Sequence, residues 1–83
     1  MRQTAKLTLV SRRYCHLCTE MAVALETLAA EFGVAVEVVD VDADAALEAL
    51  YDELVPVLLH EGRELCHYFL DTSKVRDYLS EIR

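Results

Sequence analysis

The sequence predicts an α/β domain of order βαβαββα, a four-stranded mixed sheet flanked by three helices, and three observations carry that prediction. Short β-rich apolar runs alternate with longer stretches of helical periodicity. The first two runs are separated by a helix-length segment, so they can pair in parallel through a right-handed crossover. The last two are close enough to form a hairpin. With 83 residues the chain suffices for one domain, taken as residues 1–83, and not for two.

Ala5 to Val10 is β-rich and gives way at Ser11, which reads as a short buried strand. From His16 to Phe32 the apolar residues Leu17, Met21, Leu25, Leu28 and Phe32 recur at helical spacing, and Gly33 supplies the stop. Val34 to Val39 is the second strand. Asp42 to Tyr51 follows as a short helix with Asp42 or Asp44 as its cap. It ends at Leu54-Val55-Pro56, because the residue before proline avoids the helical region. Val57 to His60 and Glu64 to Phe69, joined by Glu61-Gly62-Arg63, make the hairpin. Asp71-Thr72-Ser73 opens a last helix with Val75, Tyr78, Leu79 and Ile82 on one stripe.

Charge narrows the function classes. The formal net charge is −7, which argues against nucleic acid as a partner, since such binding rests on Lys and Arg contacts to phosphates. The distribution is uneven. Residues 1–18 carry Arg2, Lys6, Arg12 and Arg13 with no acidic residue, whereas residues 37–53 carry Glu37, Asp40, Asp42, Asp44, Glu48, Asp52 and Glu53 with no basic one. On their own, both runs read as solvated surface, with the basic patch beside Cys15 also matched to a thiolate or a small anion. The apolar run near the N-terminus is too short for a signal sequence, and charges interrupt every longer candidate for a membrane span. A cytoplasmic, monomeric protein with no membrane contact is expected. An odd number of cysteines, 3, argues against a secreted disulfide scaffold.

The chemistry concentrates in Cys15-His16-Leu17-Cys18, placed where the first strand hands over to the first helix. Two thiols at this spacing can close a small disulfide ring or hold a metal. At a helix start, the unpaired N–H groups and the positive end of the dipole favour a thiolate over a thiol. A redox CxxC in a βαβ context is the thioredoxin-like expectation. Two alternatives stay open from the residues alone. One is a zinc or iron–sulfur protein using Cys15 and Cys18 with Cys66 or a histidine, although a second CxxC and the usual His spacing are both missing. The other is an interaction module with idle thiols.

Strand, Ser11-Arg12-Arg13-Tyr14-Cys15-His16-Leu17-Cys18, helix, strand, helix, Leu54-Val55-Pro56-Val57-Leu58, hairpin, helix: over essentially its whole length the chain resembles a minimal glutaredoxin-like protein of the thioredoxin superfamily. The resemblance implies a thioredoxin-like fold and a thiol–disulfide oxidoreductase or electron carrier. Cys15 would attack a protein or glutathione mixed disulfide, and Cys18 would resolve the intermediate. It implies a cis peptide bond at Val55-Pro56, where the residue before proline offers its backbone to an extended substrate. Arg12 and Arg13 would add positive charge beside the thiolate, and Tyr14 would pack on the substrate or shield the sulfur. Asp71 and the N–H groups of the last helix would meet a ligand's charged ends. Glutathione enters as a co-substrate, with no tightly bound cofactor and no resident metal, and a reductase partner would restore the dithiol. The chain departs from the family at Phe69-Leu70, where paired glycines are common, and at His16, where proline is common. His16 beside a thiolate would stabilise it if protonated, which the helix start opposes. Cys66 reads as a small buried hydrophobe, and His60 and His67 as surface or half-buried sheet residues. Tyr51, Tyr68, Tyr78 and Phe32 read as core or core-edge aromatics.

Overall fold

A computed structural model describes residues 5–82; Arg2, counted above in the basic run, lies outside them. Strand β1 (Lys6–Ser11) leads into helix α1 (His16–Phe32), strand β2 (Ala35–Asp40) and a 3₁₀ turn (Val41–Ala43). Helix α2 (Ala45–Tyr51), strands β3 (Val57–His60) and β4 (Arg63–His67), and helix α3 (Thr72–Ile82) complete the chain. The four strands form one sheet in the order β2-β1-β3-β4, with β1 parallel to β2 and the other pairs antiparallel. This is the mixed sheet with three helices that the sequence predicts.

Alternation along β1 decides which helix lies on which face, because successive side chains point to opposite sides of a strand. Leu7 and Leu9 join Met21, Leu25 and Leu28 of α1, Leu58, Leu65, and Val75 and Leu79 of α3 in the main core. Val10 points the other way, with Val41, Val57 and Leu59 and with half-buried Leu47 and Tyr51 of α2. Helix α1 therefore buries one stripe, which is why its apolar period is legible in the sequence. Helix α2 buries no residue fully and leaves Leu50 exposed, so it covers its face of the sheet lightly.

Several boundaries move, each for a local reason. Strands β1 and β2 each run one residue later than predicted, through Ser11 and Asp40, because their parallel register pairs those two positions. The predicted helix from Asp42 divides: the Asp40 carboxylate accepts from Asp42 N–H and caps the 3₁₀ turn. Asp44 then accepts from Ala46 and Leu47 N–H and caps α2. The hairpin turn is the two residues Glu61 and Gly62, both with positive φ (51° and 81°), as a type I′ turn requires. A bulge interrupts the β3–β4 ladder, with Leu58 opposite Cys66 and Leu59 opposite Glu64. That extra residue lets the consecutive Leu65 and Cys66 both reach the main core. Strand β4 stops at His67 rather than Phe69, since Tyr68 turns into the left-handed region at φ 65°. Ile82, on the predicted stripe of α3, is exposed at the helix end.

Candidate functional site

Cys15 is the N-cap of α1, in extended conformation (φ −104°, ψ 110°). Its carbonyl accepts the first helical bond from Thr19 N–H at 3.1 Å. Its Sγ accepts the Cys18 N–H, also at 3.1 Å, so a donor that the helix itself cannot satisfy is aimed at the sulfur. The two cysteines are joined in a disulfide with Cα atoms 5.2 Å apart, as a three-residue step at a helix start permits. Their surroundings differ. Cys15 is partly exposed, whereas Cys18, inside the first turn, is 2% exposed and faces the core.

Pro56 sits beside this loop by register. The antiparallel β1–β3 ladder ends at the pair Val10–Val57, so Pro56, the residue just before β3, falls at the end of β1 from which the dithiol loop departs. The Val55–Pro56 bond is cis, as the resemblance implies, and Pro56 is buried. Its carbonyl accepts Tyr68 N–H at 2.9 Å, while Tyr68 Oη donates to the Glu53 carbonyl at 2.9 Å. Val55 is half-buried and packs on the smaller cluster with Leu54 and Tyr51.

The basic residues divide. The Arg12 guanidinium does not stand free beside the sulfur: Nε donates to Asp42 Oδ2 at 3.0 Å and Nη2 to Asp42 Oδ1 at 2.9 Å. Nη1 donates to the Asp52 carbonyl at 3.1 Å, and Nη2 also reaches the Asp52 carboxylate. Those bonds hold the guanidinium's pKa above its ordinary value and, through Arg12, Asp42 below the usual carboxylate range. The two charge runs of the sequence thus meet in space, since Lys6 also pairs with Glu37 at 3.4 Å. Arg13 is exposed. Tyr14 has φ 57° and is fully exposed, so it does not shield the sulfur. His16 points outward and pairs with Glu20 at 2.7 Å.

The end of β4 differs from the dithiol loop. Asp71 Oδ1 accepts Lys74 N–H at 3.1 Å, and the Asp71 carbonyl accepts Val75 N–H at 3.0 Å, so this carboxylate caps α3. Leu70 is half-buried against the main core, and Phe69 is exposed. Cys66 is half-buried beside Asp71, and burial pushes its thiol pKa up. His60 shares a 2.5 Å hydrogen bond with Tyr78 Oη and is half-buried, and His67 pairs with Glu64 at 2.6 Å. Tyr51 and Tyr78 are half-buried as core-edge residues, whereas Tyr68 is exposed. Among the described residues, the metal-sized grouping of acidic, Cys or His side chains is Asp42, Glu48 and Asp52, all exposed and two of them already held by Arg12. The sequence reading missed Asp42, Asp52 and Tyr68. Read separately, the two charge runs suggest solvated surface and a cation beside the thiolate, whereas Arg12 is spent on Asp42 and Asp52.

Residues 6–80 match the glutaredoxin-like domain (DUF836) family. A solution structure of a protein from Nitrosomonas europaea is similar at 39% identity, with a TM-score of 0.83 over 94% of each chain. An uncharacterized protein of Mycobacterium tuberculosis is 30% identical over 76 residues, covering 86% of this chain and 78% of the relative. Thioredoxin 1 of Thermosipho africanus, at 21% identity, shares the fold with a TM-score of 0.63, over 93% of this chain and 97% of its own. No helix among the described residues is long and apolar enough to cross a membrane.

Proposed function

The chain belongs to the glutaredoxin-like domain (DUF836) family, and from that premise we propose that it is a small thiol–disulfide oxidoreductase using Cys15 and Cys18. The observation that carries the reading is the asymmetry of the pair: an accessible sulfur facing a helix N-terminal N–H, and a buried one behind it. In the reduced protein the Cys18 N–H and the helix dipole favour the Cys15 thiolate, the form that attacks disulfides. Attack forms a mixed disulfide and expels one substrate sulfur as a thiolate, which takes a proton from solvent. Cys18, giving up its proton, then attacks Cys15 Sγ. The second substrate thiol leaves, the Cys15–Cys18 disulfide forms, and two electrons have passed from the protein to the substrate. An external dithiol or two glutathione molecules, delivered in a cell by a reductase partner, return those electrons. No bound cofactor takes part, and the reducing cytoplasm is the matching compartment.

The substrates are disulfide-containing proteins or glutathione mixed disulfides, with Tyr14, Val55, Pro56 and Asp71 as contacts. The backbone at Val55 suits an extended chain laid beside the dithiol. A titration in glutathione buffers, followed by alkylation and mass spectrometry, tests the reading. An internal Cys15–Cys18 disulfide that titrates reversibly is the expected result, and its failure to form in the accessible range refutes it. Cys15→Ser is expected to abolish turnover and Cys18→Ser to accumulate mixed disulfides; equal loss without trapping overturns the assigned roles.

A further inference from the structure

The proline loop needs to be held if it is to receive a substrate beside Cys15. Leu54, Val55 and Pro56 pack inward and two N–H groups bond back to α2, but its polar start is held from outside. Between α2 and β3 the segment 52–56 contains no regular element, and α2 in front of it buries no residue fully. Two residues from elsewhere fasten it. Tyr68, just past β4, bonds Pro56 through its backbone and Glu53 through its hydroxyl. Arg12, three residues before Cys15, grips Asp52 by both its carbonyl and its carboxylate and locks onto Asp42 with a two-pronged bond. A guanidinium fork can do this because its donors are coplanar and fixed; an ammonium cannot.

We propose that Arg12 is a positioning residue that ties the start of the proline loop to the loop carrying Cys15, so that Val55-Pro56 and the attacking sulfur keep one spacing. This rests on the thiol–disulfide reading for its purpose, and on Arg12 geometry for its substance. The same cation that by sequence alone would serve the thiolate or an anionic ligand is consumed in joining two loops. Its partners lie 30 and 40 positions away, on either side of α2, so one side chain also pins both ends of that lightly packed helix. In substrate reduction the cost of losing it falls on alignment: a displacement of the order of 1 Å between reacting groups costs up to about 10²-fold in rate.

The test compares Arg12→Met, Arg12→Lys and the double variant Asp42→Asn/Asp52→Asn with the parent chain. Pre-reduced protein is mixed in excess with a fluorogenic peptide disulfide, and the single-turnover rate is followed. The pH profile of Cys15 alkylation by iodoacetamide and the amide hydrogen exchange of residues 52–57 are measured on the same proteins. All three variants are expected to lose about tenfold in rate, to exchange faster in 52–57 but not in α3, and to keep the parent's alkylation profile. Combining Arg12→Met with the double variant is expected to add nothing further. Lysine at position 12 retaining the parent rate, or a faster rate when the aspartates are neutralised, would show that Arg12 acts as a charge and overturn the proposal. A shifted alkylation profile in Arg12→Met would assign it to the thiolate, with the same consequence, and unchanged exchange in 52–57 overturns it as well. If the parent itself fails to reduce the peptide, the oxidoreductase reading falls, while the exchange data still decide whether Arg12 ties the loops.

Discussion

The three cysteines differ because each occupies a different kind of backbone position. Cys15 ends a loop, Cys18 sits inside a helical turn and Cys66 lies on a strand beside the main core. Burial raises the Cys66 thiol pKa, so near neutral pH less of it is thiolate than for an ordinary thiol. After reduction, Cys15 is expected to react with iodoacetamide well before Cys66, and peptide mapping at short times reads the order directly; equal rates would contradict the picture of a helix-activated sulfur. Much of this was legible in the sequence, because a spacing of three residues at a strand–helix junction is local information. The partners of Arg12 were not. They depend on how α2 folds back over the sheet, and nothing in the order of residues singles out Asp42 and Asp52 from seven acids in one run.

Elements were most legible where a residue with one conformational use marks the end. Helix α1 has the predicted limits, His16 and Phe32, because Cys15 stands in extended conformation before it and Gly33 takes the left-handed conformation after it. At φ 65° Gly33 donates its N–H to the Ala29 carbonyl, and a Cβ there would meet nothing within 4 Å. The cost of Gly33→Ala is therefore one of backbone conformation, about 1 kcal/mol, read as a lower urea midpoint with the slope unchanged. No change would mean that the helix end settles differently. The region from Asp40 to Asp44 was less legible, since Asp40, Asp42 and Asp44 are all good caps. The sequence points to Asp42 or Asp44, and Asp42 instead lies inside the 3₁₀ turn that Asp40 caps. Asp44 caps α2. The bulge at Leu58/Leu59 had no sequence signal, because the Leu65-Cys66 pair fits either face of a strand.

At the scale of the whole molecule, an excess of carboxylates makes the acid limb of stability informative. Asp42 has a depressed pKa in the folded chain, chiefly through its hydrogen bond from Arg12, so the folded state holds fewer protons than the unfolded one across that range. Its contribution is complete above the ordinary carboxylate range and is lost as pH falls through the depressed value. The urea midpoint of the parent chain is thus expected to exceed that of Asp42→Asn at neutral pH, with the gap closing as pH falls through Asp42's depressed value. A gap that persists in acid would mean that the asparagine acts through packing. The topology was legible because a parallel pair needs a crossover and an antiparallel pair needs only a turn, and the lengths of the connections decide between them. Among the described residues, that order leaves β2 and β4 as the two outer strands. An outer strand carries unpaired backbone groups, a template on which further chains can stack into fibrils, and charge on the strand is the usual guard. Here Glu37 and Asp40 stand on one margin and Arg63, Glu64 and His67 on the other. On β2 each incoming copy would have to bring its own carboxylates up against those already there, so the acidity of this strand resists aggregation.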